Sequence, residues 1–465
     1  MRQSKNAVLR NARTTGTLLA MAGEKQAFLT PRRFAACAVL WSASLAIAPL
    51  QAQKDPGPRG GAAGAGGPVA GLTANEGNFF ADGQTRFQEV EGISNGLGPR
   101  FNLNSCSGCH AQPAVGGSSP ASNPQVAGNV APAWQVFPLV ALGLISPSGP
   151  VREIRFTSDG GVHDLFTIAG TSGAPPGCRI SQPNFRANLS NIIFRVPTPT
   201  FGAGLIEAIP DATILANVGV PKPFGIAGHE NRNGNDGSVT RFGWKAQNKS
   251  LAIFSGEAYN VEMGISNELF SDERGEGGMP DPTSCYATTS PNDHTNYEVT
   301  TPTGVPSDVI AFADFMRFLD QPTPACAVGS TCAASVNRGS ALFDGAGCAV
   351  CHIRTMQTGS FATAALRNQA ANLFSDLLVH HMGALADRIS QGLAGPDEFR
   401  TAPLWGLGQR IFFLHDGRDN DLLMTIEDHA RGGRDPNSEA NTVVQNFNGL
   451  TTQQKQDLLN FLRTL

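Results

Sequence analysis

Two short segments of this 465-residue chain, Cys106-Ser107-Gly108-Cys109-His110 and Cys348-Ala349-Val350-Cys351-His352, share the pattern Cys-x-x-Cys-His. Two thiols at that spacing reach the two vinyl groups of one porphyrin while the adjacent imidazole turns under the iron, so the pattern is an attachment site for c-type haem. A zinc ribbon sets its two cysteine pairs roughly 15–20 residues apart; these are 242 apart. A thioredoxin-type redox pair needs a βαβ setting, which the flanking sequence lacks. The expectation is two covalently bound haem c groups. Cys106, Cys109, Cys348 and Cys351 attach them, and His110 and His352 are iron ligands.

Residues 1–52 read as a secretory signal: Arg32 and Arg33, an apolar run from Phe34 to Leu50, then small residues ending at Ala52. A retained N-terminal anchor is the alternative, because the basic region is long, but export agrees with covalent haem and the expected location is periplasmic, without stable membrane insertion. Losing residues 1–52 removes seven basic residues and one acid, which takes the formal charge from −4 to −10. No basic cluster tracks phosphates, so nucleic acid is not an expected partner.

The length fits two or three domains. With 53 Gly and 31 Pro, irregular loops around helices are expected rather than a large β-sandwich. The expected class is mainly α: two cytochrome c-like haem domains with long irregular loops and small β-hairpin insertions. Residues 53–72, glycine-rich, read as a flexible linker. An N-terminal haem domain is expected over 73–306 and a C-terminal one over 307–465. Thr73 with Glu76, and Thr451 with Gln454, are capping-box patterns, and Ser307 reads as the cap of an amphipathic helix. Asp159-Gly160-Gly161 within 151–168 reads as a hairpin turn. Each half runs helix, Cys-x-x-Cys-His, loops and more helix, which suggests a diverged duplication.

Apart from Cys37 and the motif thiols, Cys178, Cys285, Cys326 and Cys332 remain. An even number in an oxidising compartment suggests two disulfides, with Cys326 to Cys332 closing a short loop and Cys178 to Cys285 stapling the first half. Buried free thiols are the alternative, since connectivity does not follow from sequence.

Gly96-Leu97-Gly98-Pro99-Arg100-Phe101-Asn102, Arg241-Phe242-Gly243-Trp244-Lys245-Ala246, Pro403-Leu404-Trp405-Gly406-Leu407-Gly408 and Phe413-Leu414-His415-Asp416-Gly417-Arg418 resemble the bacterial di-haem oxidoreductases, a family similar to the di-haem cytochrome c peroxidases. The resemblance covers about residues 73–465. It implies a reaction-centre haem, an electron-entry haem, a Trp between them and a Glu over the reactive iron. Trp244 and Glu262, the latter followed by Met263, match those positions. The chain departs in lacking the Asp-Gly-Arg after Trp244 and in carrying His381 where the wider family usually has Asp. A Met fourteen residues beyond the His-Asp-Gly motif binds the electron-entry iron in the peroxidases; here that step from His415 reaches His429, with Met424 as the nearby rival.

Chemistry supports these roles independently. Peroxide cleavage needs a group that takes a proton from one oxygen and returns it to the other, which a carboxylate near the iron can do. Against this, Glu262 could be a salt-bridged loop residue and Trp244 plain core packing. The polar loop of Asn231, Asn233, Asn235 and Asp236 could offer oxygen ligands to calcium, although an Asn-Gly turn explains it better. The expected function is a peroxidase-like oxidoreductase in which electrons enter at the C-terminal haem and reaction occurs at the N-terminal one. A small periplasmic donor, a mono-haem cytochrome or a cupredoxin, is the expected partner. A non-catalytic electron carrier and a haem oxygenase are the alternatives.

Overall fold

The structure, a computed structural model, describes residues 53–293, 303–304, 307–326 and 332–465. The expected signal over 1–52 lies outside these residues. Six helices carry the framework: α1 (Ala74–Phe87), α2 (Leu251–Met263), α3 (Asp308–Phe318), α4 (Ala334–Ala346), α5 (Leu422–Asp428) and α6 (Thr452–Leu462). Both capping boxes form, at Thr73 with Glu76 and at Thr451 with Gln454, and the Ser307 hydroxyl caps α3.

Two helix crossings repeat. α1 packs on α3, and α4 packs on α6. Each crossing is closed by a glycine: a Cβ on Gly83 would overlap the Ala311 carbonyl oxygen, and one on Gly339 would overlap that of Asp457. Aromatic residues fill the space beneath. Phe80, Phe87, Phe312 and Phe315 lie buried under the first crossing, Phe343 and Phe461 under the second. Of the apolar stripe read on α3, Val309, Phe312, Phe315, Met316 and Leu319 are buried, while Ile310 points to solvent.

The fold is mixed rather than mainly α. Among the described residues irregular chain outweighs helix, and the strands form five two-stranded antiparallel sheets. The hairpin read at 151–168 is replaced by a longer-range pairing: β1 (Glu153–Phe156) pairs with β2 (Ile192–Arg195), while Phe166–Thr167 pairs with Arg100–Phe101. Only the bridge Arg155 to Val162 spans the Asp159-Gly160-Gly161 turn. The β-branched and aromatic run Ile192-Ile193-Phe194 makes the better partner for a strand. A further pair, β3 (Val379–His381) with β4 (Glu398–Arg400), borders the second haem motif.

The unit spanning Gln51–Leu465 is compact, with two large apolar clusters. One draws mainly on residues 69–319 with a contribution from 356–405; the other draws on 343–465. The glycine-rich stretch 53–72 is laid against this body. Val69 donates its N–H to the Phe318 carbonyl (2.8 Å), Thr323 to that of Gly64 (2.7 Å) and Arg59 to that of Gly408 (2.7 Å). Asp55 forms a buried ion pair with Arg463. Backbone groups rather than side chains make most of these contacts, so composition gave no sign of them. No helix among the described residues is long and apolar enough to cross a membrane.

Gly339→Ala should destabilise the fold by about 1–3 kcal/mol, because the new methyl must push α4 from α6. Gly345→Ala in the same helix meets nothing within 4 Å; it should gain up to about 1 kcal/mol of helix propensity. Urea unfolding of the two variants checks the opposite signs.

Candidate functional site: two haem-attachment cavities

Each Cys-x-x-Cys-His segment is a short helical turn whose histidine is held by its own chain. His110 Nδ1–H donates to the Gly117 carbonyl (2.9 Å), and His352 Nδ1–H donates to that of Phe374 (2.9 Å). A carbonyl only accepts, so the proton sits on Nδ1 and Nε2 is left as the ligand atom. Burial lowers both pKa values to about 4, with His429 nearby contributing to the fall of His352. Both rings are therefore neutral, as iron binding requires. Phe87 stands edge-on to His110 and Phe343 is tilted against His352, so the motif of each half rests on the aromatic layer of its own helix crossing.

The two motifs open on separate cavities. That of the first motif is about 1090 Å³ and that of the second about 1370 Å³. Cys106 and Cys109 line the first cavity and Cys348 and Cys351 the second, and none of the four is in a disulfide.

Both cavities suit a haem. In the second, Arg400 and Arg410 are buried on the wall, and among the described residues no carboxylate pairs with either guanidinium. Burial brings both down to about 10. Two unpaired buried cations are costly unless an anion joins them, and the two propionates of a porphyrin are such anions. In the first, Arg152 lies over the Phe194 ring (4.4 Å) with its buried Nε lacking a partner.

The cavities differ in their histidines. Among the described residues the first is lined by His110 alone, the second by His352, His380, His415 and His429. His429 caps α5, and its Nδ1–H donates to the Thr425 carbonyl (2.7 Å), which again leaves Nε2 available. Met424, the rival, is exposed and does not line the cavity. His380 is held between Asp376 (3.1 Å) and Glu439 (2.8 Å); burial opposes its charge, but the Cys351 sulfur and then these carboxylates raise its pKa well above the usual range. It makes a charged wall rather than a neutral ligand. Among the described residues, the one group of side chains close enough to share a metal ion is Cys351, Asp376 and His380, and Cys351 belongs to the haem motif.

Trp244 is the only described residue that lines both cavities. Its indole N–H donates to the Val196 carbonyl (2.8 Å), and its ring meets His415 edge-on at 6.5 Å. Glu262, at the end of α2, lines the first cavity with His110. Asn102 donates to it (3.1 Å). Burial, then Glu153 and Asp164, raises its pKa well above the usual carboxylate range. Glu153, Arg155 and Arg195 share that wall and were not read from sequence. Their alternation with Ile154 and Phe156 looks like the solvent face of a strand; the face opens on the cavity instead.

The polar loop weighed for calcium is a turn. Asn231 donates to the Lys245 and Gln391 carbonyls, Asn233 accepts from the N–H of Asn235, and Asp236 pairs with Lys249. Cys178 with Cys285 and Cys326 with Cys332 lie at disulfide distance, their Cα atoms 4.6 and 5.8 Å apart.

Such a pair of cavities, each with a Cys-x-x-Cys-His wall and joined at one tryptophan, is a site of the di-haem redox class. The family described as "Di-haem oxidoreductase, putative peroxidase" matches residues 180–465, and the chain belongs to it. The match includes Trp244, Glu262, the second motif and His429, but begins after the first motif. Among solved structures the chain is similar to hydrazine synthase of Kuenenia stuttgartiensis (17% identity over 44% of this chain and 71% of that one, TM-score 0.24). It is also similar to a MauG-like protein associated with microbial copper homeostasis (15% identity, 58% and 90%, TM-score 0.31). No curated protein matches.

His429→Ala should remove a low-spin component from the visible spectrum of the oxidised protein while covalent haem is retained, and Met424→Leu should leave that spectrum unchanged. The reverse pattern would assign the ligand to Met424.

Proposed function

We propose that the chain is an exported, periplasmic di-haem c oxidoreductase that reduces peroxide at the first cavity with electrons taken in at the second. The observation that carries this reading is the asymmetry of the cavities: one histidine and a buried carboxyl group in the first, four histidines in the second, of which His352 and His429 are neutral and keep Nε2 available through Nδ1 bonds to backbone carbonyls. An iron held on both sides exchanges electrons without binding substrate, whereas one held on one side keeps a position for an oxidant.

Cys106 and Cys109 would hold one haem by thioether bonds, and Cys348 and Cys351 the other. Haem supplies an iron that changes oxidation state. The protein's own part is positioning and proton handling. Trp244, common to both walls and fixed by its bond to Val196, is the aromatic bridge for electrons. Glu262 supplies a proton at the first cavity. Its burial keeps it protonated, so it serves as acid. In this reading there are two cytochrome c-like units, expected over 73–306 and 307–465, with α3 (Asp308–Phe318) packing on the first of them; Cys178–Cys285 and Cys326–Cys332 are disulfides in the oxidising compartment, and the donor is a small redox protein such as a mono-haem cytochrome or a cupredoxin.

Protein matured with its haem-attachment machinery should weigh two haems more than the mature chain. Glu262→Gln should keep both haems and lose about 10²–10⁴-fold in peroxide turnover, and Trp244→Phe should slow electron delivery with haem content unchanged. Wild-type rates in both variants would favour a simple electron carrier. Mass spectrometry and a stopped-flow peroxide assay are the measurements.

A further inference from the structure

Peroxide cleavage asks for two things at once: a base for the proton on the near oxygen and an acid for the far oxygen. Glu262, buried and protonated, meets only the second need. The first cavity contains another carboxyl group. Glu153, on β1, faces the same space as His110 and Glu262 and hydrogen-bonds to Glu262.

The surroundings of the two acids differ. Glu153 forms an ion pair with Arg155 and feels Arg195, itself paired with Asp387 (2.6 Å). Although burial works to raise its pKa, these cations and the bond to Glu262 bring it below the usual carboxylate range. No cation pairs directly with Glu262 among the described residues; its partners are Asn102 and Glu153, with Asp164 close by and already bound to Arg274 (2.9 Å). The arginines thus stabilise one negative charge where two carboxyls meet, which leaves one proton for the pair.

We propose that Glu153 is a second catalytic residue of the first cavity, forming with Glu262 a carboxylate–carboxyl pair that shares one proton and acts on peroxide as base and acid together. This rests on the peroxidase reading above. Glu153 takes the proton from the near oxygen while Glu262 gives its proton to the far oxygen. The O–O bond breaks with its electron pair going to the far oxygen, which leaves as water. The pair still holds one proton, now on Glu153, and returns to its starting form along the hydrogen bond between the two acids. The near oxygen leaves as the second water once two electrons from the small reduced donor and two protons from solvent have reached it. A route for those protons adjoins the pair: Arg155 also lines a wide polar cavity of about 1660 Å³ whose wall includes Asp159, His163, Glu257 and Glu273.

The test is infrared difference spectroscopy of the haem-loaded protein at neutral pH in H₂O and D₂O, read beside peroxide turnover. Subtracting Glu262→Gln from wild type should reveal one neutral-carboxyl band. Glu153→Gln should lose that same band although Glu262 is still present, because Arg155, freed of its partner, draws Glu262 into the ionised form. Peroxide turnover should fall about 10²–10⁴-fold in each variant with haem content unchanged, and Glu153→Asp should recover part of the rate. A neutral-carboxyl band that persists in Glu153→Gln, or wild-type turnover in that variant, overturns the proposal. If the bands behave as expected but wild-type protein turns over no peroxide, the pair stands and the peroxidase reading falls.

Discussion

Three backbone carbonyls, those of Gly117, Phe374 and Thr425, decide how this protein presents its imidazoles. Each accepts the Nδ1 proton of a histidine, which fixes the tautomer and leaves Nε2 as the nitrogen available to a metal. A net hydrogen bond contributes only about 1 kcal/mol to stability, yet its orienting effect reaches further. Burial outweighs these hydrogen bonds, which by themselves favour the charged ring, and keeps His110 and His352 neutral across the physiological range. The glycine-mediated helix crossings and the aromatic layers below them hold the chain segments that carry these histidines.

The seam between the cavities is built around the peptide of Val196. Its carbonyl accepts from the Trp244 indole, and its N–H donates to the His415 carbonyl (2.8 Å). His415 stacks on Phe399 at 4.2 Å, and the Lys245 ammonium lies over the Phe399 ring, 4.2 Å from its centroid. Lys245 in turn pairs with Asp387 (3.1 Å), which also binds Arg195. Removing one partner from a buried charge cluster of this kind costs about 3–5 kcal/mol. One of the seam charges, Arg195, also reaches Glu153 across the sheet, where it adds to the larger effect of Arg155.

Much of this was legible in the sequence. Cys-x-x-Cys-His determines its chemistry locally, and capping at Thr73, Ser307 and Thr451 depends on neighbours three residues away. What escaped depends on distant partners. Glu153 pairs across β1 with Arg195, 42 residues on, so its role is invisible in its own segment. Arg400 and Arg410 look like ordinary basic residues until the structure buries them without acids. The stretch 53–72 looks unstructured by composition because, apart from the Asp55 ion pair, its attachments run mostly through backbone groups, which composition does not report.

The central claim is that the two haem sites are unlike, one open and one closed by His352 and His429. Titration of the oxidised, fully loaded protein with cyanide, followed by optical and electron-spin resonance spectra, tests it most directly. The account predicts that one equivalent binds per two haems, converting one signal and leaving a low-spin signal untouched. Binding of two equivalents, or of none, would contradict it.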